Sequence, residues 1–140
     1  MGLDGTWYNE LGSKLTLKEG ADGSLSGSYE TGVSSGCAKG AYTLAGRTDI
    51  PFEGGATFGF AVTWHNDDSD CESTTTWCGH YRAGGDGEEE SLIAFWLLAE
   101  KAGPGEEWES NMIGKDVFLR QTVSPGQPEA ASPPEQAPHP

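Results

Sequence analysis

The sequence predicts an all-β fold, and within that class an eight-stranded antiparallel up-and-down β-barrel. Glycine is frequent, with 21 copies in 140 residues, and it is scattered along the whole chain. Five Trp, five Phe and four Tyr give a high aromatic content, and short apolar runs alternate with polar turns. This pattern is typical of β-sandwiches and barrels. No periodic run is long enough to predict a helix.

Eight segments have the composition of strands. They are Thr6–Asn9, Lys14–Glu19, Ser24–Glu30, Ala41–Arg47, Thr57–His65, Ser73–Arg82, Glu90–Glu100 and Lys115–Gln121. The turns between them are short and rich in Gly, Asp and Asn, which tolerate the conformations of hairpin turns. Consecutive strands should therefore be neighbours. An eight-stranded barrel has an interior wide enough for side chains or for one small ligand.

The domain organisation is expected to be one barrel followed by a tail. Residues 1–122 hold all the predicted strands, and the length suits a single core. Residues 123–140 contain six of the eight prolines and few apolar side chains. That composition cannot form a core, so we expect an extended, flexible tail.

The charge of the chain excludes several partners. The net charge is −14, which disfavours nucleic acid and anionic membranes. No stretch approaches the roughly 18 apolar residues of a membrane span. Met1 and Gly2 lie directly before the first strand, so we expect that any secretory signal is missing from this sequence.

The three cysteines, Cys37, Cys71 and Cys78, are an odd number. There is no Cys-x-x-Cys and no His paired with a Cys, so no metal site is expected. One disulfide with one remaining thiol is the simplest arrangement. It predicts an oxidising compartment, hence a secreted or periplasmic protein.

Alternation along the strands predicts a polar interior. Three sets of residues keep a two-residue spacing and mix polar with apolar side chains: Asn9, Leu11 and Ser13; Tyr29, Thr31 and Val33; Ser73, Thr75 and Trp77. If these sets face inward, unpaired hydroxyls would cost about 1–3 kcal/mol each, which indicates a polar ligand or trapped water. The alternative is that they face solvent. Trp64, Trp77 and Trp96 lie on three different strands, and this favours the inward arrangement.

Six segments of the chain resemble, in order, the avidin–streptavidin family of biotin-binding proteins. They are Gly5–Ser13, Gly23–Glu30, Leu44–Arg47, Thr74–Trp77, Trp96–Leu98 and Trp108–Asp116. The matches extend over nearly all of the first 121 residues, and the spacing from Trp108 to Asp116 is preserved. The resemblance implies the streptavidin-like barrel and high-affinity, non-covalent capture of biotin at its mouth. It implies no enzymatic activity, catalytic residue, cofactor or metal, and at the family level a role in sequestering the vitamin outside the cell.

The resemblance also implies a role for each matching residue. Asn9, Ser13 and Tyr29 would donate hydrogen bonds to the ureido oxygen of biotin, and Thr31 and Asp116 would accept from its N–H groups. Thr75 would contact the ring sulfur, while Ser73 and Ser35 would hold the valerate carboxylate. The apolar walls would be Trp64, Trp77 and Trp96, with Leu11, Val33 and Leu98 filling gaps. Trp108 matches a residue that in tetrameric members covers the site of a neighbouring subunit.

The loop after the third strand and Cys71 are similar to those of dimeric members of the family. That similarity implies a Cys37–Cys71 disulfide between two mouth loops, with Cys78 pointing outward. Dimeric members generally lack a residue like Trp108, so the two resemblances disagree on assembly. We expect a homo-oligomer, whether a dimer, a tetramer or something larger.

Three other functions are compatible with parts of the sequence. A lipocalin-type carrier of a different small apolar ligand would have the same barrel but an apolar lining without Asp116. A hydrolase using Glu88–Glu90 is disfavoured because adjacent carboxylates in a Gly-rich turn are usually solvated. A structural oligomer with an unused cavity would not bind biotin.

Overall fold

Eight antiparallel strands close into a barrel in the computed structural model, which describes residues 2–32, 40–49, 55–65, 72–85, 87–106 and 111–121. The strands are β1 (Gly5–Tyr8), β2 (Lys14–Glu19), β3 (Ser24–Glu30), β4 (Ala41–Thr48), β5 (Gly55–Thr63), β6 (Ser73–Arg82), β7 (Ser91–Glu100) and β8 (Asn111–Leu119). Each strand pairs with the next, and β8 returns to β1. The predicted eight-stranded up-and-down barrel is therefore confirmed.

The predicted bounds of β2, β3 and β6 agree with the structure, and β8 differs most. It begins at Asn111 instead of Lys115 and ends at Leu119. The extra residues pair with β7, where Ala99 lies opposite Asn111. Asn and Gly are uncommon in strands, so the start of β8 has the composition of a turn although it completes the ladder.

Gly114 shows why β8 needs a glycine in its ladder. It lies opposite Trp96 of β7. A Cβ atom at Gly114 would come within 2.3 Å of the Trp96 indole. The indole therefore lies directly against the backbone of β8, and the absence of a side chain at Gly114 makes room for it.

Buried and exposed residues alternate along the strands, because successive side chains point into the barrel and out to the solvent. In β6, Ser73, Thr75, Trp77 and Tyr81 are buried while Thr76 and Cys78 are exposed. The same alternation along the other strands gives an interior rich in aromatic and aliphatic side chains. Among the residues that the structure describes, the buried polar ones are Asn9, Ser13, Thr31, Thr48, Ser73, Thr75 and Asp116.

The seam between β1 and β8 is the weakest pairing of the barrel. Only Tyr8 and Leu119 face each other across it as ladder partners. Side chains extend the contact, because the backbone N–H of Val117 donates to Glu10 (3.4 Å) and Arg120 donates to the carbonyl of Asp4 (2.8 Å). Glu10 therefore lies beside β8 although it belongs to the turn after β1.

The hairpin connections alternate between the two ends of the barrel. Strands β1, β3, β5 and β7 end at one end of the barrel, which we call the mouth, and strands β2, β4 and β6 end at the opposite end, which we call the closed end. No helix in the described part of the chain is long and apolar enough to cross a membrane. The described residues also contain no group of three His, Cys, Asp or Glu side chains arranged to hold a metal ion.

Candidate ligand-binding site

Four buried polar side chains, Asn9, Ser13, Tyr29 and Asp116, form what we call the polar cluster. All four are fully buried. Asn9 and Ser13 flank the turn between β1 and β2, Tyr29 lies near the end of β3, and Asp116 lies within β8. Barrel closure brings them together from positions that are far apart in the sequence. Buried polar groups require hydrogen-bond partners, so the bonds that they already make within the protein determine which groups can still bind a ligand.

The amide of Asn9 is oriented by the turn that follows it. Its Oδ1 accepts hydrogen bonds from the backbone N–H groups of Leu11 (3.0 Å) and Ser13 (2.9 Å). The oxygen is therefore committed to the backbone, and Nδ2 is the group that faces the interior as a donor. Nδ2 donates a long hydrogen bond, 3.5 Å, to the Tyr29 hydroxyl, and the Asn9 amide also hydrogen bonds to Asp116.

The hydroxyls of Ser13 and Tyr29 are arranged as donors in series. Ser13 Oγ accepts the backbone N–H of Gly32 (2.9 Å), which leaves its proton to donate. Ser13 also hydrogen bonds to the Tyr29 oxygen. Burial, and next the charge of Asp116, raise the pKa of Tyr29 well above its usual value of 10.0, so the phenol stays neutral. Because its oxygen accepts from Asn9 and Ser13, its proton is directed to a third group.

Asp116 is the acceptor of the polar cluster. Trp77 Nε1 donates to its Oδ2 at 3.1 Å, whereas Oδ1 is buried and has no hydrogen-bond partner among the described residues. Burial raises the pKa of Asp116 to about 7, and the charge of Glu10 acts in the same direction. Hydrogen bonding from Trp77 and Asn9 acts in the opposite direction. A buried carboxylate with one vacant oxygen can accept an N–H donor from a ligand.

Aromatic rings surround the polar cluster. The rings of Tyr29 and Trp77 lie 4.8 Å apart, and Trp64 meets Tyr29 edge-on at 5.8 Å. Trp96 is buried and faces Trp77 across the β6–β7 ladder. These rings exclude water, which strengthens hydrogen bonds made inside.

A second polar contact lies beside the aromatic wall. Trp64 Nε1 donates to Thr75 Oγ1 at 2.8 Å, and both residues are buried. The bond uses an acceptor position of the hydroxyl, so its proton remains available for a weak acceptor such as a thioether sulfur. Thr75 faces Leu98 across the ladder, which adds an apolar surface at the same level.

Comparison with known proteins connects this geometry to one family. The model of the avidin family matches residues 1–121. The chain is 32% identical to afifavidin from Afifella pfennigii over 117 residues, which cover 83% of this chain and 67% of afifavidin. The chain belongs to the avidin family. It is also 31% identical over 136 residues to fibropellin-1 from Strongylocentrotus purpuratus, covering 91% of this chain but 12% of that protein.

Membership of the avidin family confirms two expectations from the sequence. The family resemblance was recognised correctly, and the family consists of non-enzymatic binding proteins. Family membership suggests biotin as the ligand.

Most residues with a predicted role in this avidin barrel point inward. Eleven of them are buried: Asn9, Ser13, Tyr29, Thr31, Trp64, Ser73, Thr75, Trp77, Trp96, Leu98 and Asp116. Their inward orientation is confirmed, and their contact with a ligand stays a prediction. Leu11 is only half-buried because it lies in the β1–β2 turn, where the alternation of a strand no longer applies. Val33, Ser35 and Trp108, like Cys37 and Cys71, lie outside the described residues. Cys78 is an exposed free thiol, as expected.

Three neighbours of the site were not predicted from the sequence. Phe60 stacks on Trp77 with the rings 4.9 Å apart, and Tyr42 meets Trp64 edge-on at 5.1 Å. Both follow from strand alternation, since Phe60 shares a face with Trp64 and Tyr42 pairs with Tyr29. Glu10 has no such signal, because its position beside Asp116 depends on closure of the barrel.

Proposed function

We propose that this chain binds biotin non-covalently inside the barrel, with the ureido ring at the polar cluster and the valerate chain toward the mouth. One observation carries the proposal. Three donors, from Asn9, Ser13 and Tyr29, are held in fixed orientation close to Asp116, whose Oδ1 lacks a partner in the described part of the chain. A cyclic urea has the complementary pattern of one carbonyl acceptor beside N–H donors.

The donors support a bound state in which the ureido oxygen carries negative charge. The carbonyl of a urea is polarised, and three donors directed at it favour that polarised form. The Tyr29 oxygen accepts from Asn9 and Ser13, so its proton is free to point at the ligand and we assign it as the primary donor. Ser13 and Asn9 then add to it without leaving their backbone contacts.

Asp116 and Thr31 supply the acceptors for the two ureido N–H groups in this proposal. Asp116 Oδ1 provides a charged acceptor, and charge-assisted hydrogen bonds are stronger than neutral ones. Thr31 is buried at the end of β3, beside the same turn as Ser13.

The remaining predicted contacts lie toward the mouth. Thr75 is held by Trp64 and would contact the ring sulfur, while Trp77, Trp96 and Leu98 supply apolar surface. Ser73 begins β6 at the mouth and suits the valerate carboxylate. Ser35 and Val33 complete this set as predictions. The interior side chains are ordered by contacts within the protein, which lowers the entropic cost of binding and favours high affinity.

A carrier of a purely apolar ligand fits the interior less well. Such a ligand would leave Asp116 and the donors of the polar cluster buried without new partners, at a cost of about 1–3 kcal/mol for each group. Biotin offers a partner to each of them, so we prefer it.

A biotin titration followed by tryptophan fluorescence tests this function. The expected result is a fluorescence change that ends near one biotin per chain, because Trp64, Trp77 and Trp96 are buried at the proposed site. Asp116→Ala should weaken binding tenfold or more, as expected when a charged hydrogen bond is lost. Glu88→Ala removes an exposed carboxylate at the closed end and should bind as the wild type does. No fluorescence change at micromolar biotin would refute the function and leave the apolar-ligand carrier.

We also propose that the chain self-associates through the outer face of β6, β7 and β8. Phe95, Leu97, Ile113 and Val117 are exposed there, Ile113 at 72% and Phe95 at 59%. Phe95, Leu97 and Ile113 line a groove of about 590 Å³, together with Thr76, Cys78 and Lys115. Glu100, at the last position of β7, is the one exposed acidic residue of β6, β7 and β8, although the whole chain carries a net charge of −14.

This charge distribution favours a second copy of the chain as the occupant. Two acidic barrels repel each other at most orientations, and the repulsion is smallest where both surfaces lack carboxylates. An apolar patch of this kind is typical of a protein interface. In such an oligomer Trp108, near the start of β8, would cover the biotin site of a neighbour.

The Cys37–Cys71 disulfide and a secreted or periplasmic location remain part of the proposal, with vitamin sequestration as the role. In denaturant without reductant, a thiol count should then give one thiol per chain, that of Cys78, and the count after reduction should be three. Three thiols before reduction would refute the disulfide.

A further inference from the structure

Glu10 lies across the seam of the barrel beside the strand that carries Asp116, and its charge acts on the Asp116 carboxyl group. Glu10 follows Asn9 in the β1–β2 turn, and its Oε1 accepts the backbone N–H of Val117, the residue after Asp116, at 3.4 Å. Asp116 is fully buried, while Glu10 is half-buried. A second acidic group is thus fixed beside the one buried carboxylate of the polar cluster.

The surroundings of Asp116 oppose its negative charge when no ligand is present. Trp77 donates a hydrogen bond to its Oδ2, and its Oδ1 is buried without a partner among the described residues. Asn9 also hydrogen bonds to this carboxylate and lowers its pKa, but burial has the largest effect and raises it. The element next to it, β7, places the uncharged Ala94 opposite. The titratable groups that act on Asp116 are Glu10 from the β1–β2 turn and Tyr29 from β3, and Tyr29 stays neutral. Lys115 is exposed and lies 6.0 Å from the centroid of the Phe95 ring.

We propose that biotin capture is coupled to the release of one proton from Asp116 to the solvent, and that Glu10 sets the pH range of this coupling. The inference rests on the proposed function. Without ligand, the proton is held on Oδ1, because Oδ2 is engaged by Trp77. With ligand, the ureido N–H occupies the position at Oδ1 and requires an acceptor there, so the proton leaves. Glu10 favours the protonated state because two adjacent negative charges repel.

The direction of the pH dependence follows from this competition. Burial raises the pKa of Asp116 to about 7, so near neutral pH the ligand-free chain is a mixture of protonated and ionised forms. The ligand binds the ionised form. Apparent affinity should therefore be constant above about pH 8 and fall about tenfold for each pH unit below 7.

Calorimetry in buffers of different ionisation enthalpy measures the protons released on binding. The ligand is the carboxamide of biotin, which has no group that titrates between pH 5.5 and 8. We expect about one proton released per ligand at pH 6 and nearly none at pH 8. Glu10→Gln keeps an oxygen acceptor for Val117 N–H but removes the charge, so it should release less at pH 6 and bind more tightly there.

Glu88→Gln is the matched control, since it removes one carboxylate at the closed end and should release protons as the wild type does. Proton release that is absent at pH 6, or unchanged in Glu10→Gln, would overturn the inference. Failure of biotin carboxamide to bind at pH 8 would instead refute the proposed function, so the two failures are distinguishable. The wild-type proton count alone still tests the coupling if the variant does not fold.

Discussion

At the scale of a single residue, the ionised form of Asp116 destabilises the folded chain but is the form that the proposed ligand requires. An ionised carboxylate loses its hydration when it is buried, and the hydrogen bonds from Trp77 (3.1 Å) and Asn9 do not compensate for this loss. The folded chain therefore holds a proton that the unfolded chain releases between pH 3.8 and about 7. Stability consequently falls as pH rises through this window and is constant above it. The same acceptor is the group that the proposed ligand needs.

Asp116→Asn tests this conflict through the pH dependence of stability. The rise in the pKa of Asp116 from 3.8 to about 7 lowers the free energy of unfolding of the wild type by about 4 kcal/mol between pH 4 and pH 8. The Asn variant has no charge to bury, so its free energy of unfolding should fall by less over that range. Urea unfolding at several pH values measures the difference between the two proteins. Parallel curves for wild type and variant would show that Asp116 is ionised throughout.

At the scale of secondary-structure elements, Arg120 ties the end of β8 to the start of the chain. It donates to Glu90 (2.6 Å) and to the carbonyl of Gly2 (2.9 Å), and its guanidinium lies 3.7 Å from the centroid of the Trp7 ring. Tyr81 also donates to Glu90. These side-chain contacts connect β8 to the N-terminal residues at the closed end of the barrel. They supplement the β1–β8 seam, which has a single ladder pair.

Arg120→Met should therefore destabilise the barrel by about 2–3 kcal/mol, because several charged hydrogen bonds are lost together at a partly buried site. Arg82→Met is the matched control: Arg82 is exposed and its ion pair with Glu88 is 3.7 Å long, so its loss should cost less than about 1 kcal/mol. Denaturant unfolding gives both values. Equal losses in the two variants would show that Arg120 does not close the seam.

Strand alternation explains how much of the site could be predicted from the sequence. Within β6 the two-residue period correctly placed Ser73, Thr75 and Trp77 inside. The same period failed at Leu11, which lies in a turn, and the sequence near Gly114 did not resemble a strand. Glu10 was missed because its contact joins residues 107 positions apart, which only barrel closure brings together.

At the scale of the whole molecule, the outer face of β6–β8 should control assembly. Ile113→Glu places a carboxylate in the centre of the apolar face and should shift the oligomer toward monomers, because two copies would bury facing charges. Thr43→Glu adds the same charge on the exposed outer face of β4 and should leave assembly unchanged. Light scattering after size-exclusion chromatography measures the mass. A monomeric wild type would refute the interface.

Biotin binding is the central claim, and a calorimetric titration of the wild type with biotin at pH 8 tests it most directly. Asp116 is ionised at that pH, so the site is in its binding form. We predict one biotin per chain, with a negative change in heat capacity because the ligand is buried among aromatic side chains. The absence of any binding heat at two well-separated temperatures would contradict the account.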